Sequence, residues 1–357
     1  MIKSERNSAF ELLRICAMGM IVFYHLVCYY LYELPNPEHI DFYTALLPTI
    51  HIGVILFVLI SGYFGIRSTW KGLITLLSVV LIFNLPIVIY SGVRHGNWLE
   101  RLMFLTNTPY WFWRTYLYLY LVAPLLSIVT QHWSMRERIG GLCALGLISI
   151  YFGSMKGDLS LIDGKNLVNF IFLYMLGDTL RYSESIWQKI KNRWLLLMWI
   201  SLNLFIFLFL YLVNDGNVKD FMMNISFPYR SPILIINALV FFCMFGKLHF
   251  QNIVVNRLAT SMFAVYILHC QPVLHNAVVL KVLRTSLSLP WGGVFDKLIL
   301  LSISIMAVCI LIDQSLSPYW KIQDKLLNKW LGKKGLYNSL RYNFENLYQS
   351  SIKQRKL

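Results

Sequence analysis

Charge is scarce in this chain of 357 residues: Asp, Glu, Lys and Arg make up 14% of it, against about 25% in soluble domains. With 57% apolar residues, that scarcity excludes an ordinary soluble domain, and apolar runs near the spanning threshold of about 18–20 residues recur. Acidic residues are the rarer sign, 17 against 32 basic, giving a net charge of +15. Such an excess would suggest nucleic acid in a soluble protein. Here the basic residues sit mostly in the loops and the tail, so membrane topology explains them and no nucleic-acid partner is expected. The six cysteines (Cys16, Cys28, Cys143, Cys243, Cys270 and Cys309) lie singly in apolar runs. Without CxxC or metal-type spacing they read as reduced packing residues, and no metal is expected. Internal repeats and soluble inserts are also missing. Strands are not expected, because an open sheet edge cannot be satisfied in lipid.

What is present is an all-α, polytopic membrane protein of about ten spans: 9–31, 46–66, 72–91, 112–131, 139–154, 166–181, 194–213, 231–247, 258–280 and 294–315. The first run is long enough to span, contains Arg14 and lacks a small-x-small cleavage pattern after Leu31, so it is not read as a signal peptide. Most of the Lys and Arg residues fall on the side of an inside N-terminus, while the segment Tyr32 to Thr44 has Glu33, Glu38 and Asp41 and no basic residue. Both termini are therefore expected in the cytoplasm. Arg94, Arg101 and Arg114 run against that trend near one outside loop. The chain divides into a transmembrane domain, 1–318, and a tail, 319–357, mixing Lys and Arg with Trp320, Trp330, Tyr337, Tyr342, Phe344 and Tyr348. The tail reads as an interfacial anchor on an anionic leaflet, or as a partly disordered basic segment.

Chemistry concentrates first in the opening span, which holds Glu11, Arg14 and His25. Intramembrane ionisable groups are expected to face protein, water or substrate. Arg14 and His25 are eleven residues apart, three helical turns plus about 20°, so they share a face about 16 Å apart along the axis. Glu11 is placed for an i,i+3 ion pair with Arg14. A neutral His25 suits a general base for a hydroxyl; a histidine hydrogen-bonded between helices is the bland alternative. Arg14 suits the oxyanions of a donor entering from the cytoplasm, or it is a snorkelling arginine paired with Glu11.

Four further residue groups are singled out. Ser61 and Gly62 in Ile60-Ser61-Gly62-Tyr63-Phe64 allow close helix approach or an opened backbone near a ligand; Ser61 has no adjacent base and is disfavoured as a nucleophile. Arg67 and Lys71, four apart on one expected helical face, could dock cofactor phosphates, although topology alone explains two basic residues there. Trp111, Trp113, Arg114, Tyr116 and Tyr120 open the fourth span and suit a sugar acceptor at the outer mouth, with an interfacial aromatic belt as the plain alternative. His269 in the ninth span is a second intramembrane imidazole, for a direct role or for packing, and Pro272 frees a backbone carbonyl one turn earlier.

Together these residues resemble the acyltransferase-3 family of integral membrane acyltransferases. The matching pieces are Glu11-x-x-Arg14 with His25 following, Ser61-Gly62-Tyr63, Trp111-Phe112 leading into Tyr120 to Leu126 with Pro124, Met175-Leu176-Gly177, and Tyr266-Ile267-Leu268-His269. They occur in the expected order across most of the chain. Glu11 stands where the family commonly has Asp. The resemblance implies ten spans in the cell inner membrane and transfer of an acyl group, usually acetyl from acetyl-CoA, to extracytoplasmic carbohydrate such as O-antigen, capsule or exopolysaccharide. It also implies that His25 and Arg14 are essential. No esterase-like extracytoplasmic domain is expected, which favours direct transfer.

The expected mechanism keeps the CoA nucleotide at the cytoplasmic side near Arg67, Lys71 and Arg14. The pantetheine arm then runs along the first helix to His25. An acyl-His intermediate stays open. The rival reading is a transporter or flippase of a glycan or lipid-linked sugar, with a proton-coupled carrier third.

Overall fold

The computed structural model describes residues 7–33, 37–95, 110–155, 163–213, 215–271, 275–286 and 289–333. Among them every regular element is helical, the arrangement that satisfies backbone groups inside lipid. The chain runs through α1 (Ser8–Glu33), α2 (Pro37–Ile50), α3 (Gly53–Phe64), α4 (Trp70–His95) and α5 (Trp111–Thr130). Next come α6 (Met135–Gly146), continued by a π segment at Leu147–Met155, then α7 (Leu167–Tyr182), α8 (Asn192–Leu212) and α9 (Gly216–Ser226). The last set is α10 (Pro232–Gly246), α11 (Ile253–Thr260), α12 (Met262–His269), α13 (Trp291–Ser315) and α14 (Ser317–Lys333). The side chain of Arg94, Arg101, Pro272 and the tail beyond Lys333 lie outside the described residues.

The described residues of the ten expected runs are mainly helical, and five stretches are long and apolar enough to cross a bilayer: Ser8–Tyr32, His39–Phe64, Trp111–Thr130, Asn192–Leu212 and Gly292–Ser315. Trp70–Pro86 and Pro232–Gly246 are apolar but shorter. This is a multi-pass helical membrane protein. Two runs differ from expectation. The second begins earlier than residue 46, within α2, and is broken by a turn at His51 and Ile52 between α2 and α3. The ninth, 258–280, is not one helix. Asn252 caps α11 by accepting from the Val254 and Val255 amides at 2.9 and 3.1 Å, Ser261 separates α11 from α12, and α12 stops at His269.

α1 is the central post. It packs on α2, α3, α10, α11, α12 and α13, and Leu13, Ala17, Val22, Leu26, Val27 and Tyr30 are buried along it. A helix apolar around most of its circumference belongs in such a position. Its first turn is tied down by Ser8, whose hydroxyl donates to Asn256 Oδ1 at 2.8 Å and accepts from the Asn252 amide at 2.8 Å.

The tightest helix contact is between α3 and α7. A Cβ on Gly62 would lie 2.0 Å from the Tyr174 carbonyl oxygen, and one on Gly177 would lie 2.3 Å from that of Leu59. Of the two readings of Gly62, close helix approach is the one realised. Arg138 of α6 forms an ion pair with Asp178 of α7 and donates to the Thr130 carbonyl at 2.7 Å. On the outside, Leu204 and Phe205 of α8 and Leu300, Ile303 and Leu311 of α13 are exposed, as lipid-facing side chains should be.

Candidate active site

Arg14, Met18, Ile21 and His25 stand at i, i+4, i+7 and i+11 on α1, and all four line one cavity of about 200 Å³. The face deduced from helical spacing is thus the wall of a real cavity, with the guanidinium towards one end and the imidazole about 16 Å along. Glu11 does not line it. It sits behind Arg14, nearly buried, with Oε1 accepting from Nη1 at 2.5 Å. Phe64 lies under the guanidinium, 5.9 Å from ring centroid to carbon. A planar cation gripped on one edge keeps its remaining N–H groups aimed in a fixed direction.

The structure brings His25 and His269 into direct contact. His25 Nδ1 is 2.9 Å from His269 Nε2, and the rings stack with centroids 5.1 Å apart. His269 Nδ1 lies 2.8 Å from the Val265 carbonyl oxygen. A carbonyl only accepts, so the proton of a neutral His269 is on Nδ1 and its Nε2 is a lone pair. That lone pair takes the Nδ1 proton of His25, which leaves Nε2 of His25 as the free basic nitrogen. His269 is buried behind His25 and does not line the cavity.

Cys270 Sγ is 3.5 Å from the same His269 Nε2, and His25, His269 and Cys270 offer ligand-type atoms within 4.8 Å of one another. The 2.9 Å between the two nitrogens is a hydrogen-bond spacing, shorter than the roughly 3.3 Å that two nitrogens on tetrahedral zinc with bonds of about 2.0–2.1 Å would show. The pair is arranged for a proton.

The other walls are aromatic. Trp111, Phe112 and Tyr116 come from α5, Phe263 and Tyr266 from α12, and Tyr24, His51 and Tyr229 join them, with Ile50, Val54 and Leu76 as aliphatic patches between. Ser61 also lines the cavity; its hydroxyl donates to the Phe57 carbonyl at 2.8 Å and lies 3.3 Å from Tyr116 Oη. With its proton on a carbonyl one turn back, Ser61 is a wall residue without a base. Tyr266 Oη accepts from the Trp113 amide at 3.4 Å, which turns its own proton elsewhere.

Several expected site residues stand away from the cavity. Trp113 is fully buried against Phe263, centroids 5.7 Å apart, and belongs to the core. Arg114 is half-buried and outside the lining. Tyr120, at the middle of α5, is engaged by the chain between α3 and α4. Its hydroxyl accepts from the Thr69 amide and donates to the Thr69 carbonyl, both at 2.8 Å, while Ser68 Oγ donates to its carbonyl at 2.7 Å. It is a clamp on the loop between α3 and α4.

That loop corrects the pairing of Arg67 with Lys71. Gly65, at a φ of 74° that favours glycine, ends α3, and helix resumes only at Trp70. Arg67 is therefore in the loop, lining a cleft of about 720 Å³ with Arg138, Asp178, Arg181 and Tyr182. Lys71, in the first turn of α4, forms an ion pair with Asp324 of α14. The two share no helical face.

His51 is the residue that sequence reasoning missed. Its Nδ1 is 2.8 Å from the Phe227 carbonyl oxygen, and its ring stacks on Tyr24 at 4.3 Å and on Phe227 at 4.5 Å. It faces the same cavity as His25 because the turn at 51–52 swings it inward. Nothing local in the sequence announces that turn except Pro48 and Gly53 around it.

The arrangement is a basic nitrogen backed by a proton-holding partner, at the far end of an aromatic slot from a fixed guanidinium. No curated protein and no solved structure matches the chain. A family model described as an acyltransferase domain matches residues 7–314. The match spans the arginine, both histidines and every cavity wall, and the chain belongs to the acyltransferase-3 family of membrane acyltransferases.

Proposed function

We propose that this protein moves an acetyl group from cytosolic acetyl-CoA to a hydroxyl of an extracytoplasmic cell-surface carbohydrate, as a multi-pass enzyme of the inner membrane. The observation that carries this reading is the common cavity of Arg14 and His25, with His25 backed by His269. At about 200 Å³ the cavity is smaller than typical ligand pockets of about 300–1,000 Å³. A whole nucleotide does not fit such a slot, but a thin flexible arm does. The nucleotide then stays at the basic end, with Arg67 in its cleft and Arg14 at the entrance, and the thioester reaches His25. Lys71, engaged by Asp324, is a weaker donor contact than Arg67.

In the chemical step His25 Nε2 takes the proton of the acceptor hydroxyl as its oxygen attacks the thioester carbonyl carbon. The tetrahedral intermediate collapses with cleavage of the C–S bond, and the departing thiolate takes the proton back from His25 Nε2. His269 holds the tautomer throughout. Tyr266, with its oxygen already accepting from the Trp113 amide, is a fitting donor to the oxyanion. Trp111, Tyr229 and the His51–Tyr24 stack offer flat faces to a sugar ring.

The test is thioester consumption by the purified protein in proteoliposomes, read as free thiol released from acetyl-CoA in the presence of carbohydrate acceptor. Release that requires acceptor supports the enzyme. Sugar movement across the bilayer without thioester consumption would support a carrier instead.

A further inference from the structure

α14 presents three different faces. One is fixed to the bundle: Trp320 Nε1 donates to Asp313 Oδ1 at 3.2 Å, Gln323 Nε2 donates to Ser78 Oγ at 2.6 Å, and Asp324 pairs with Lys71. A second carries Tyr319, Ile322, Leu326 and Trp330, spaced i, i+3, i+7 and i+11 and exposed by 44, 58, 62 and 49%. The third holds Lys321, Lys325 and Lys329, all exposed; Lys321 and Lys325 also border a cleft against the bundle that Thr75 and Asp313 line. At about 100° per residue, Lys329, Lys325 and Lys321 stand roughly 60°, 100° and 140° around the helix from Leu326, so Lys329 and Lys325 are the ones that flank the stripe.

Position decides what covers the stripe. α13 ends at Ser315 and α14 begins at Ser317, so the helix starts where an apolar stretch long enough to cross the bilayer, Gly292–Ser315, comes to its end. Its ion pair with Lys71 reaches the first turn of α4, a second apolar helix. α14 therefore lies at the level where two apolar helices meet the headgroups. We propose that α14 docks along an anionic phospholipid leaflet, with the Tyr319–Trp330 stripe among acyl chains and the lysines on headgroup phosphates. Such a three-faced helix, apolar below and basic at the flank, suits the interface. The sign of the lipid follows from charge: the helix has Lys321, Lys325, Lys329 and Lys333 against one acidic residue, Asp324, which Lys71 already neutralises. The proposal does not depend on the acyl-transfer reading.

The experiment follows amide hydrogen exchange over Ser317–Lys333, using the purified full-length chain in nanodiscs. Discs of phosphatidylcholine alone are compared with discs containing phosphatidylglycerol, and α13 serves as an internal control for the fold. Exchange is expected to slow by about tenfold or more in the anionic discs, to lose that difference at high salt, and to lose it in the K321Q/K325Q/K329Q variant. Leu326→Gln is expected to raise exchange in both compositions. Equal exchange of the wild type in both discs would overturn the proposal. So would protection in phosphatidylcholine discs produced by inorganic phosphate alone, since that places the charge recognition away from the leaflet.

Discussion

A neutral imidazole has one proton and two nitrogens, and the Val265 carbonyl decides where the protons of two imidazoles go. Because His269 Nδ1 is committed to that carbonyl at 2.8 Å, a neutral His25 keeps its proton on Nδ1, donates that N–H in a hydrogen bond to His269 Nε2, and leaves its own Nε2 bare. His269→Ala removes the acceptor that fixes this tautomer. It is expected to lower kcat about a hundredfold or more while KM for acetyl-CoA changes little, measured by initial rates of thiol release. In the proposed mechanism Arg14 acts differently, through binding of the donor. Arg14→Lys keeps the charge but loses the planar fork and the geometry set by Glu11 and Phe64. A roughly tenfold rise in KM for the donor, with kcat largely preserved, is the expected result; a pure kcat loss would move Arg14 from binding to chemistry.

Among the elements, α3 and α7 form the closest joint, and it is made of glycine. Gly62→Ala would push a methyl against the Tyr174 carbonyl oxygen, 2.0 Å from the ideal Cβ position. Backbone cannot yield there as a flexible side chain would, so the helices must separate, at a cost of about 1–3 kcal/mol. A lowered thermal midpoint in detergent, with loss of activity following it, is expected; an unchanged midpoint would mean the joint is looser than described. The same element scale explains what could be read in the sequence. The Arg14–Met18–Ile21–His25 wall was legible because all of it lies within one helix, where spacing alone fixes a face. Arg67 and Lys71 do not share the helical face that their spacing suggests, because the positive φ of Gly65 ends α3 before them. Residue type alone suggests a sugar site or an interfacial belt for Tyr120 and Trp113, whereas their partners, the loop at Thr69 and the ring of Phe263, are contacts that spacing along the chain does not reveal. His51 stayed hidden for the same reason: its hydrogen bond is to Phe227, 176 residues away.

For the whole molecule, the expectation of a helical membrane protein rested on low charge and recurring apolar runs, and both are properties that composition states directly. The side of the membrane rests on the distribution of Lys and Arg. A reporter active only in the cytoplasm, fused after Leu357, is expected to be active; a silent reporter with the protein present in the membrane would reverse the orientation and put the Arg67 cleft outside. The central claim joins these scales: a donor arm enters at Arg14, runs along α1 and meets His25. The most direct test follows acetyl-labelled acetyl-CoA into extracytoplasmic glycan in membranes containing equal amounts of wild type or His25→Ala protein. The account predicts labelled glycan with the wild type and none above background with His25→Ala. Label transferred equally by both would contradict it, leaving His25 as a structural partner of His269 and the chemistry elsewhere.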